Sequence, residues 1–295
     1  MTDRLVKALA YNDEIRAYMI DGTNMVQTGA NYQDTWHTAT AAYGRALIGT
    51  CLLSTSLLKN EQDKLTIRIQ GNGPLGYLVL DGNVKGQVKG YVQHPHIALE
   101  LNEKGKLDVS GAVGREGIFA VSKDMGLKTP FGGQVPLVSG ELAEDFTYYM
   151  AVSEQIPSVI ALSVVVDSED HVVTAGGFML QVLPHASEET ISQLENSIKN
   201  LPDVSQMMGD KLSLEEILAK IVGADNFHIL EEMPVSYHCD CSRDRFEKVL
   251  IALGKDELLT LIEEDGQAEA VCHFCGEKYL FTENQLQSML DDAKG

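Results

Sequence analysis

The chain has 295 residues, 44% of them hydrophobic, and a formal net charge of −20 that comes from 43 acidic against 23 Lys and Arg side chains. This acidic excess argues against sequence-independent binding to nucleic acid or to an anionic membrane, because both depend on cationic side chains meeting a polyanion. No run approaches the ~20 apolar residues of a membrane helix, and the opening MTDRLVKALAYNDE meets charge before a signal-peptide core could form. We therefore expect a globular cytoplasmic protein with neither membrane nor nucleic acid as a partner.

The first part of the chain begins with strand signals and continues into a helix. The run ALAYNDEIRAYMIDGTNMVQT predicts two short strands with turn chemistry at Asp21-Gly22. From Asp34 to about Leu58, apolar residues recur three and four positions apart without a proline. That pattern predicts a long, mostly buried helix whose start is capped by Asp34 or Thr35.

The region that follows is dominated by strand signals. The run KLTIRIQGNGPLGYLVLDGNVKGQVKGYVQH predicts a meander of three strands separated by a Gly-Pro turn and an Asp-Gly turn. KLDVSGAVG, GIFAVSKD and SVIALSVVVD add three strand-like pieces, and GELAEDFTYYMAVSEQIPS predicts a helix ended by Pro157. HVVTAGGFMLQVLP is expected to be a last strand, broken at Gly176-Gly177 and stopped by Pro184. Residues 1–184 thus predict one core domain of mixed α+β class.

Residues 185–232 carry helical signals and no strand signal, which predicts a helical connector. Ser187 with Thr190, and Ser213 with Glu216, stand where helix caps are expected, and the second pair fits a capping box. The connector also has an apolar face that needs a surface in a neighbouring domain to rest on. Its residues are Met207, Met208, Leu212, Leu214, Ile217, Leu218, Ile221 and Val222.

The tail, residues 233–295, holds four of the five cysteines in a paired pattern. Cys239-x-Cys241 is followed after thirty residues by Cys272-x-x-Cys275, with two helical runs between the pairs and a strand-like KYLF after them. Zinc binds four thiolates tetrahedrally, and two short chelating pairs can supply them. In a reducing compartment this pattern indicates a metal before a structural disulfide. The spacing predicts one Zn²⁺ per chain in a small α+β domain.

Two alternatives remain open at this site. His238 and His273 each stand beside a cysteine and could replace one ligand. The cysteines could also be catalytic thiols of a disulfide exchanger, although such an enzyme would place its C-x-x-C near a βαβ unit, which the tail lacks.

The C-x-C pair favours a switch over a purely structural metal site. A disulfide between thiols only two positions apart closes a tight ring that departs from relaxed geometry, so it would be easily reduced. Once oxidised, the sulfurs are no longer zinc thiolates, and a tail of this size should unfold without its metal. The connector, if it leans on the tail, should then loosen and expose its apolar face.

Other candidate sites have simpler explanations. GNGPLG at residues 71–76 formally matches a dinucleotide fingerprint but precedes the strand YLVLD instead of a helix, so we expect a hairpin turn. Cys51 is expected to be an inert core thiol and Trp36 a core anchor. The chain shows no H-E-x-x-H, P-loop or nucleophile elbow. We therefore do not expect an enzyme.

Several longer motifs together resemble one family, the redox-regulated 33-kilodalton heat-shock chaperones of bacteria. The matching segments are CDCSRDR at 239–245, VCHFCGEKYLF at 271–281, SEQIPS at 153–158, AGGFMLQVLP at 175–184, QGNGPLG and KTPFGGQVPLVSGELAEDFTYY. The resemblance covers nearly the whole chain. It implies zinc on Cys239, Cys241, Cys272 and Cys275, and on oxidation the disulfides Cys239–Cys241 and Cys272–Cys275.

The same resemblance implies an ATP-independent holdase that binds unfolding proteins during oxidative stress, often as a homodimer when active. It further implies that the connector and the core surface hold clients, although no client-binding residue carries a matched motif. The leading hypothesis is therefore a redox-switched chaperone. The competing hypotheses are a zinc-knuckle adaptor with a purely structural metal and a thiol-disulfide oxidoreductase.

Overall fold

The computed structural model describes residues 2–292, which divide into two compact units between His238 and Cys239. The strands are β1 (Arg4–Ala10), β2 (Ile15–Asp21), β3 (Lys64–Gly71), β4 (Tyr77–Asn83), β5 (Gln87–Val92), β6 (Gly117–Asp124), β7 (Phe131–Pro136), β8 (Ser158–Val166), β9 (Val172–Val182), β10 (Phe227–Pro234), β11 (Ser236–Tyr237), β12 (Gln267–Val271) and β13 (Lys278–Thr282). The helices are α1 (Thr23–Gln33), α2 (His37–Leu57), α3 (Val109–Val113), α4 (Ala143–Val152), α5 (Glu188–Lys199), α6 (Val204–Gly209), α7 (Leu214–Val222), α8 (Arg243–Leu253), α9 (Lys255–Glu264) and α10 (Glu283–Asp292). Across residues 2–292, none of these helices has both the length and the apolar character needed to cross a membrane.

Two β-sheets and a buried helix organise the first unit. One sheet has the order β10-β1-β2-β9-β8 and is antiparallel throughout, and the other has the order β11-β5-β4-β3-β6-β7 with a single parallel pair, β11 with β5. Helix α2 packs on strands of both sheets, and almost all of its side chains are buried. Because no face of α2 meets water, its sequence shows apolar and small residues on every side. The predicted mixed α+β class is confirmed.

Most elements of the core agree with the prediction. The meander forms as β3, β4 and β5, and GNGPLG makes the predicted turn between the first two of these strands. GIFAVSKD is β6, SVIALSVVVD supplies β8, and the predicted helix before Pro157 is α4. These segments have clear alternation or clear helical periodicity, so local pattern is sufficient to identify them.

Other elements differ from the prediction. Helix α1 and strand β7 were not expected, and KLDVSGAVG contains the short helix α3 instead of a strand. The Asp-Gly pair at Asp81-Gly82 lies inside β4, and the turn follows it. Asp34 ends α1 in a left-handed conformation (φ 50°), while α2 begins after Trp36 without a side-chain cap. Trp36 is 46% exposed and stacks on His96, so its predicted role as a core anchor is wrong.

The glycine pair in β9 does not break the strand, contrary to expectation. Strand β9 runs without interruption through Gly176 and Gly177, which pair with β2 and β8 on either side. A Cβ at Gly176 would stand 2.3 Å from the Ile20 carbonyl oxygen and 2.5 Å from the Met208 methyl carbon. Glycine therefore lets the connector approach the sheet closely.

The connector packs on the outer face of the five-stranded sheet. Ser187 and Ser213 cap α5 and α7 as predicted, and Ser213 with Glu216 forms the capping box. The buried side chains of this contact are Val6, Ala8, Ala10, Ile15, Ala17, Met19, Phe178 and Leu180 from the sheet and Leu194, Met207, Met208, Leu214, Ile217, Leu218, Ile221 and Val222 from the connector. The expected resting surface is therefore the core sheet.

The expectation of helices alone over 185–232 is wrong at its end. Phe227–Pro234 forms β10, which pairs antiparallel with β1 at the edge of the sheet. Most of its side chains are exposed, including Ile229 and Leu230. Backbone pairing with β1, more than burial, makes this segment a strand.

The second unit, which begins at Cys239, is small and has little core. Its strands β12 and β13 form a hairpin in which Ala270 faces Tyr279, and the two predicted helical runs are α8 and α9. The buried apolar residues of its core are Leu250, Leu258, Ala268, Phe281, Leu286, Met289 and Leu290. So few buried groups offer limited stability to a unit of this size, and such domains commonly depend on a metal or disulfides.

Candidate functional site: a four-cysteine metal centre

The four cysteines of the second unit converge on one point. Cys239 and Cys241 precede α8, Cys272 follows β12, and Cys275 lies in the turn before β13. All four sulfur atoms lie within 4.8 Å of one another. The sequence-predicted ligands, thirty residues apart in the chain, are therefore brought together by the fold of this unit.

The sulfur geometry fits a tetrahedral metal. The Cys239 and Cys272 sulfurs are 3.6 Å apart, and those of Cys241 and Cys275 are 3.4 Å apart. A zinc ion at about 2.3 Å from each sulfur would place the sulfurs roughly 3.8 Å from one another, whereas a disulfide needs about 2.05 Å. Four soft donors at this spacing can hold a metal ion, and the donor set suits zinc.

Local backbone geometry shapes the two cysteine loops. The Gly276 N–H donates to the Cys272 carbonyl at 2.8 Å, and Gly276 has a φ of 74°, a left-handed conformation that favours glycine. Before α8, the Ser242 hydroxyl accepts from the Arg245 N–H at 3.3 Å and caps the helix. The second pair of sulfurs is thus presented by a tight, hydrogen-bonded turn, and the first pair directly precedes a capped helix.

The environment of the sulfurs differs from one cysteine to the next. Burial raises the pKa of Cys239, and it raises the pKa of Cys275 to about 11. Burial also acts to raise the pKa of Cys272, but the N–H groups of Cys275 and Phe274 outweigh it and the net shift is downward. At Cys239 and Cys275 burial therefore favours the protonated thiol when no metal is bound, and metal binding must displace those protons.

The two histidines do not take part in the cluster. Within the part of the chain that the structure describes, the group able to hold a metal ion consists of the four cysteines alone. The His238 N–H donates to the Val88 carbonyl at 2.9 Å and so continues the pairing of β11 with β5. The His273 side chain is exposed.

Comparison with known proteins gives a consistent result. A crystal structure of the 33 kDa chaperonin (heat shock protein 33 homolog) from Thermotoga maritima matches with a TM-score of 0.90 and 38% identity, covering 99% of both chains. The 33 kDa chaperonin of Lactiplantibacillus plantarum is 52% identical over 100% of this chain and 99% of its own, and that of Bacillus subtilis is 48% identical over 99% of each. A family model described as Hsp33 protein matches residues 3–282. The chain belongs to the Hsp33 family.

Membership of the Hsp33 family confirms the resemblance found in the motifs. The relatives carry the name of chaperonins and not of enzymes, in agreement with the prediction that this chain is not an enzyme. The structural match spans the core and the cysteine-bearing tail together.

Sequence reasoning missed one side chain at the centre of this Hsp33 site. The Tyr279 hydroxyl lies 3.3 Å from the Cys241 sulfur, and Arg243 donates to the Leu280 carbonyl at 2.6 Å while stacking on Phe281. Alternation in KYLF was the available signal, because Tyr279 and Phe281 share the inner face of β13. The contact of Tyr279 with Cys241 could not be predicted from the sequence, because the two residues are 38 positions apart in the chain.

Cys51 belongs to the first unit and should be chemically unreactive. It is fully buried in α2, and burial raises the pKa of its thiol to about 12. At pH 8 about one molecule in ten thousand would carry the reactive thiolate, even before access is considered. After chelation of the metal, we expect a thiol reagent to label four cysteines quickly and the fifth only in denaturant.

Counting of labelled thiols in native and denatured protein checks this prediction. Cys51→Ala is the matched control and should give four fast thiols and no slow one. A fifth thiol that reacts rapidly in the native wild-type chain would show that Cys51 belongs to the reactive set.

Proposed function

We propose that this chain is a redox-regulated, ATP-independent holdase whose reduced, zinc-bound form is inactive. The observation that carries the proposal is the convergence of four sulfurs from two loops in a unit with a minimal core. Membership of the Hsp33 family gives the chaperone class, and the burial of the connector supplies an apolar surface that can be uncovered. Its clients would be unfolding or oxidatively damaged proteins in the cytoplasm.

The metal ligands of this proposal are Cys239, Cys241, Cys272 and Cys275. When bound, zinc would cross-link the two cysteine loops and neutralise part of the charge of four thiolates. Structural zinc contributes roughly 10–16 kcal/mol in small fingers, which is comparable to the ~5–15 kcal/mol total stability of a whole domain. The folded state of the second unit should therefore depend on keeping its thiolates reduced.

Oxidation would remove the ligands in pairs. We propose the disulfides Cys239–Cys241 and Cys272–Cys275, each formed when two thiolates give two electrons to a peroxide or hypochlorous acid. The close sulfur contacts of the reduced cluster join cysteines of different pairs. The proposed disulfides therefore require the cluster to rearrange, and the site then loses its hold on zinc.

The connector would carry this change to the client surface. The chain passes from α7 through β10 and β11 to Cys239. Unfolding of the tail would therefore begin close in sequence to β10, a strand whose side chains are mostly exposed. Arg4 on β1 binds Glu215 of α7 at 2.7 and 2.8 Å and Glu232 of β10 at 3.1 Å. We propose that 185–232 acts as a releasable cover on the core domain 1–184, under control of the switch domain 233–295.

A paired assay of zinc release and client aggregation tests the proposal. Reduced protein is treated with peroxide at raised temperature, zinc release is followed with a chelating dye, and suppression of aggregation of a thermally unfolding client is measured on the same samples. We expect suppression to rise in step with zinc release and to reverse with a dithiol reductant and zinc.

Each alternative hypothesis has its own result in this design. Complete zinc loss without suppression of client aggregation would overturn the chaperone switch and would support the alternative in which the metal is purely structural. Salt-sensitive binding of RNA or DNA by the reduced form would support an adaptor, and catalytic turnover of a disulfide substrate would support an oxidoreductase. Size measurement of the oxidised form tests the proposed homodimer.

A further inference from the structure

The four sulfurs of the metal centre receive different hydrogen-bond donors. Three are approached by backbone N–H groups from their own loops: Cys239 by Cys241, Cys272 by Phe274 and Cys275, and Cys275 by Glu277. The Cys241 sulfur is approached by a side chain, the hydroxyl of Tyr279 at 3.3 Å. This donor can be removed by substitution, whereas a backbone N–H cannot.

The direction of the Tyr279–Cys241 hydrogen bond follows from the chemistry of the ligand. A metal-bound cysteine is a thiolate and has no proton to give, so the tyrosine O–H must donate. A hydrogen bond to a thiolate draws electron density from sulfur and makes it a weaker nucleophile. The bond also opposes departure of the sulfur from its place in the cluster.

The ring of Tyr279 is held in position for this contact. It stacks on Phe246 of α8 with ring centroids 5.0 Å apart and an angle of 34° between the planes. Its backbone is paired with Ala270 across the β12–β13 hairpin. The hydroxyl is therefore aimed by a rigid hairpin and an aromatic contact.

We propose that Tyr279 is a positioning residue of the redox switch: its hydroxyl restrains the Cys241 thiolate and sets the oxidation threshold of the C-x-C pair. The proposal rests on the proposed function and adds the residue that tunes it. Loss of the hydroxyl should leave the metal site assembled but easier to oxidise.

The step that the hydroxyl restrains is attack of sulfur on a hydroperoxide. The Cys241 thiolate forms an S–O bond as the peroxide O–O bond breaks, and hydroxide leaves with the electron pair. The Cys239 thiolate then attacks the Cys241 sulfur, forming the S–S bond and releasing a second hydroxide. Two thiolates thus lose two electrons, and the peroxide gains them.

Tyr279→Phe tests the proposal, because it keeps the ring and its stacking on Phe246 and deletes only the hydroxyl. Zinc-loaded, reduced full-length protein is mixed with hydrogen peroxide, and zinc release is followed with a dye. We expect release about threefold to tenfold faster than in wild type, as expected for a lost hydrogen bond to a charged group that persists only partly in the transition state. Tyr32→Phe, an exposed tyrosine of the first unit, is the matched control and should release zinc at the wild-type rate.

A spectroscopic readout separates tuning of sulfur from a general loosening of the fold. In the cobalt-substituted protein, Tyr279→Phe should shift the sulfur-to-cobalt charge-transfer band to longer wavelength, because a thiolate without its donor gives up charge more easily. The visible bands of a four-sulfur site should stay in place. An unshifted band together with wild-type zinc release would overturn the proposal.

A second variant keeps the test decisive if Tyr279→Phe fails to hold metal. Incorporation of 3-fluorotyrosine at position 279 retains the hydroxyl and makes it a stronger donor. At about pH 6.5, where the phenol stays protonated, we expect slower zinc release than in wild type, and equal or faster release would count against the proposal. Failure of wild type itself to couple oxidation to client binding would instead overturn the proposed function.

Discussion

Cys272→Ser is expected to abolish tight zinc binding and to unfold the second unit without any oxidant. Cys272 is the most buried of the four cysteines, and its replacement leaves three thiolates and a poor oxygen donor. The unit has few buried side chains to compensate for roughly 10–16 kcal/mol of metal binding. The variant should therefore suppress client aggregation in reducing buffer, a condition in which the proposed function requires the wild-type chain to be inactive.

Three measurements check this result: zinc content per chain, protease sensitivity of residues 239–292, and client aggregation with reductant present. Cys51→Ala is the control, because it also removes one thiol but lies far from the metal centre in sequence and inside α2. If Cys272→Ser lost zinc yet stayed folded and inactive, zinc binding could not be what keeps the chaperone inactive.

Leu218→Ser is expected to activate client binding while zinc stays bound. Leu218 is fully buried on α7 in the contact between the connector and the sheet. Replacing a buried leucine with a small polar residue costs about 2–5 kcal/mol, and here the cost falls on the apolar contact between the connector and the sheet, which the Arg4 ion pairs also hold. The connector should detach from the sheet in a larger fraction of molecules than in the wild-type chain.

Hydrogen exchange over α6 and α7 measures detachment of the connector. The aggregation assay measures client binding, and the zinc content per chain shows whether the metal is still bound. Lys220→Ser is the matched control, since Lys220 lies on the exposed face of the same helix. A detached connector without client capture would show that the surface under the connector does not bind clients. Loss of zinc from Leu218→Ser would instead show that the cover also stabilises the switch.

The predictable parts of the fold are those whose pattern is local. Ser213 and Glu216 mark the start of α7 because a capping box is satisfied within four residues. The strands of the meander alternate clearly because each has one face on the core and one toward water. In contrast, β10 has mostly exposed side chains and is a strand only because β1 pairs with it.

Two misjudged positions depend on neighbours distant in sequence. Gly176 was expected to break β9, yet it keeps the strand continuous and makes room for Met208 of the connector. Trp36 was expected to lie in the core, yet it stacks on His96 at the surface. The type of a side chain indicates whether it is usually buried or exposed, but the residues that pack against it in the folded chain decide its actual position.

The sequence by itself predicted the four-cysteine cluster that could hold a metal ion, because two short cysteine pairs can chelate one ion only in a few ways and their spacing is visible in the chain. It also determined that the connector carries an apolar face, because helical periodicity is local. Only the tertiary structure decided that this face rests on the five-stranded sheet, and that a tyrosine hydroxyl meets Cys241. Both are contacts between segments distant in the chain, and they depend on how strands and helices pack in space, which no local pattern records.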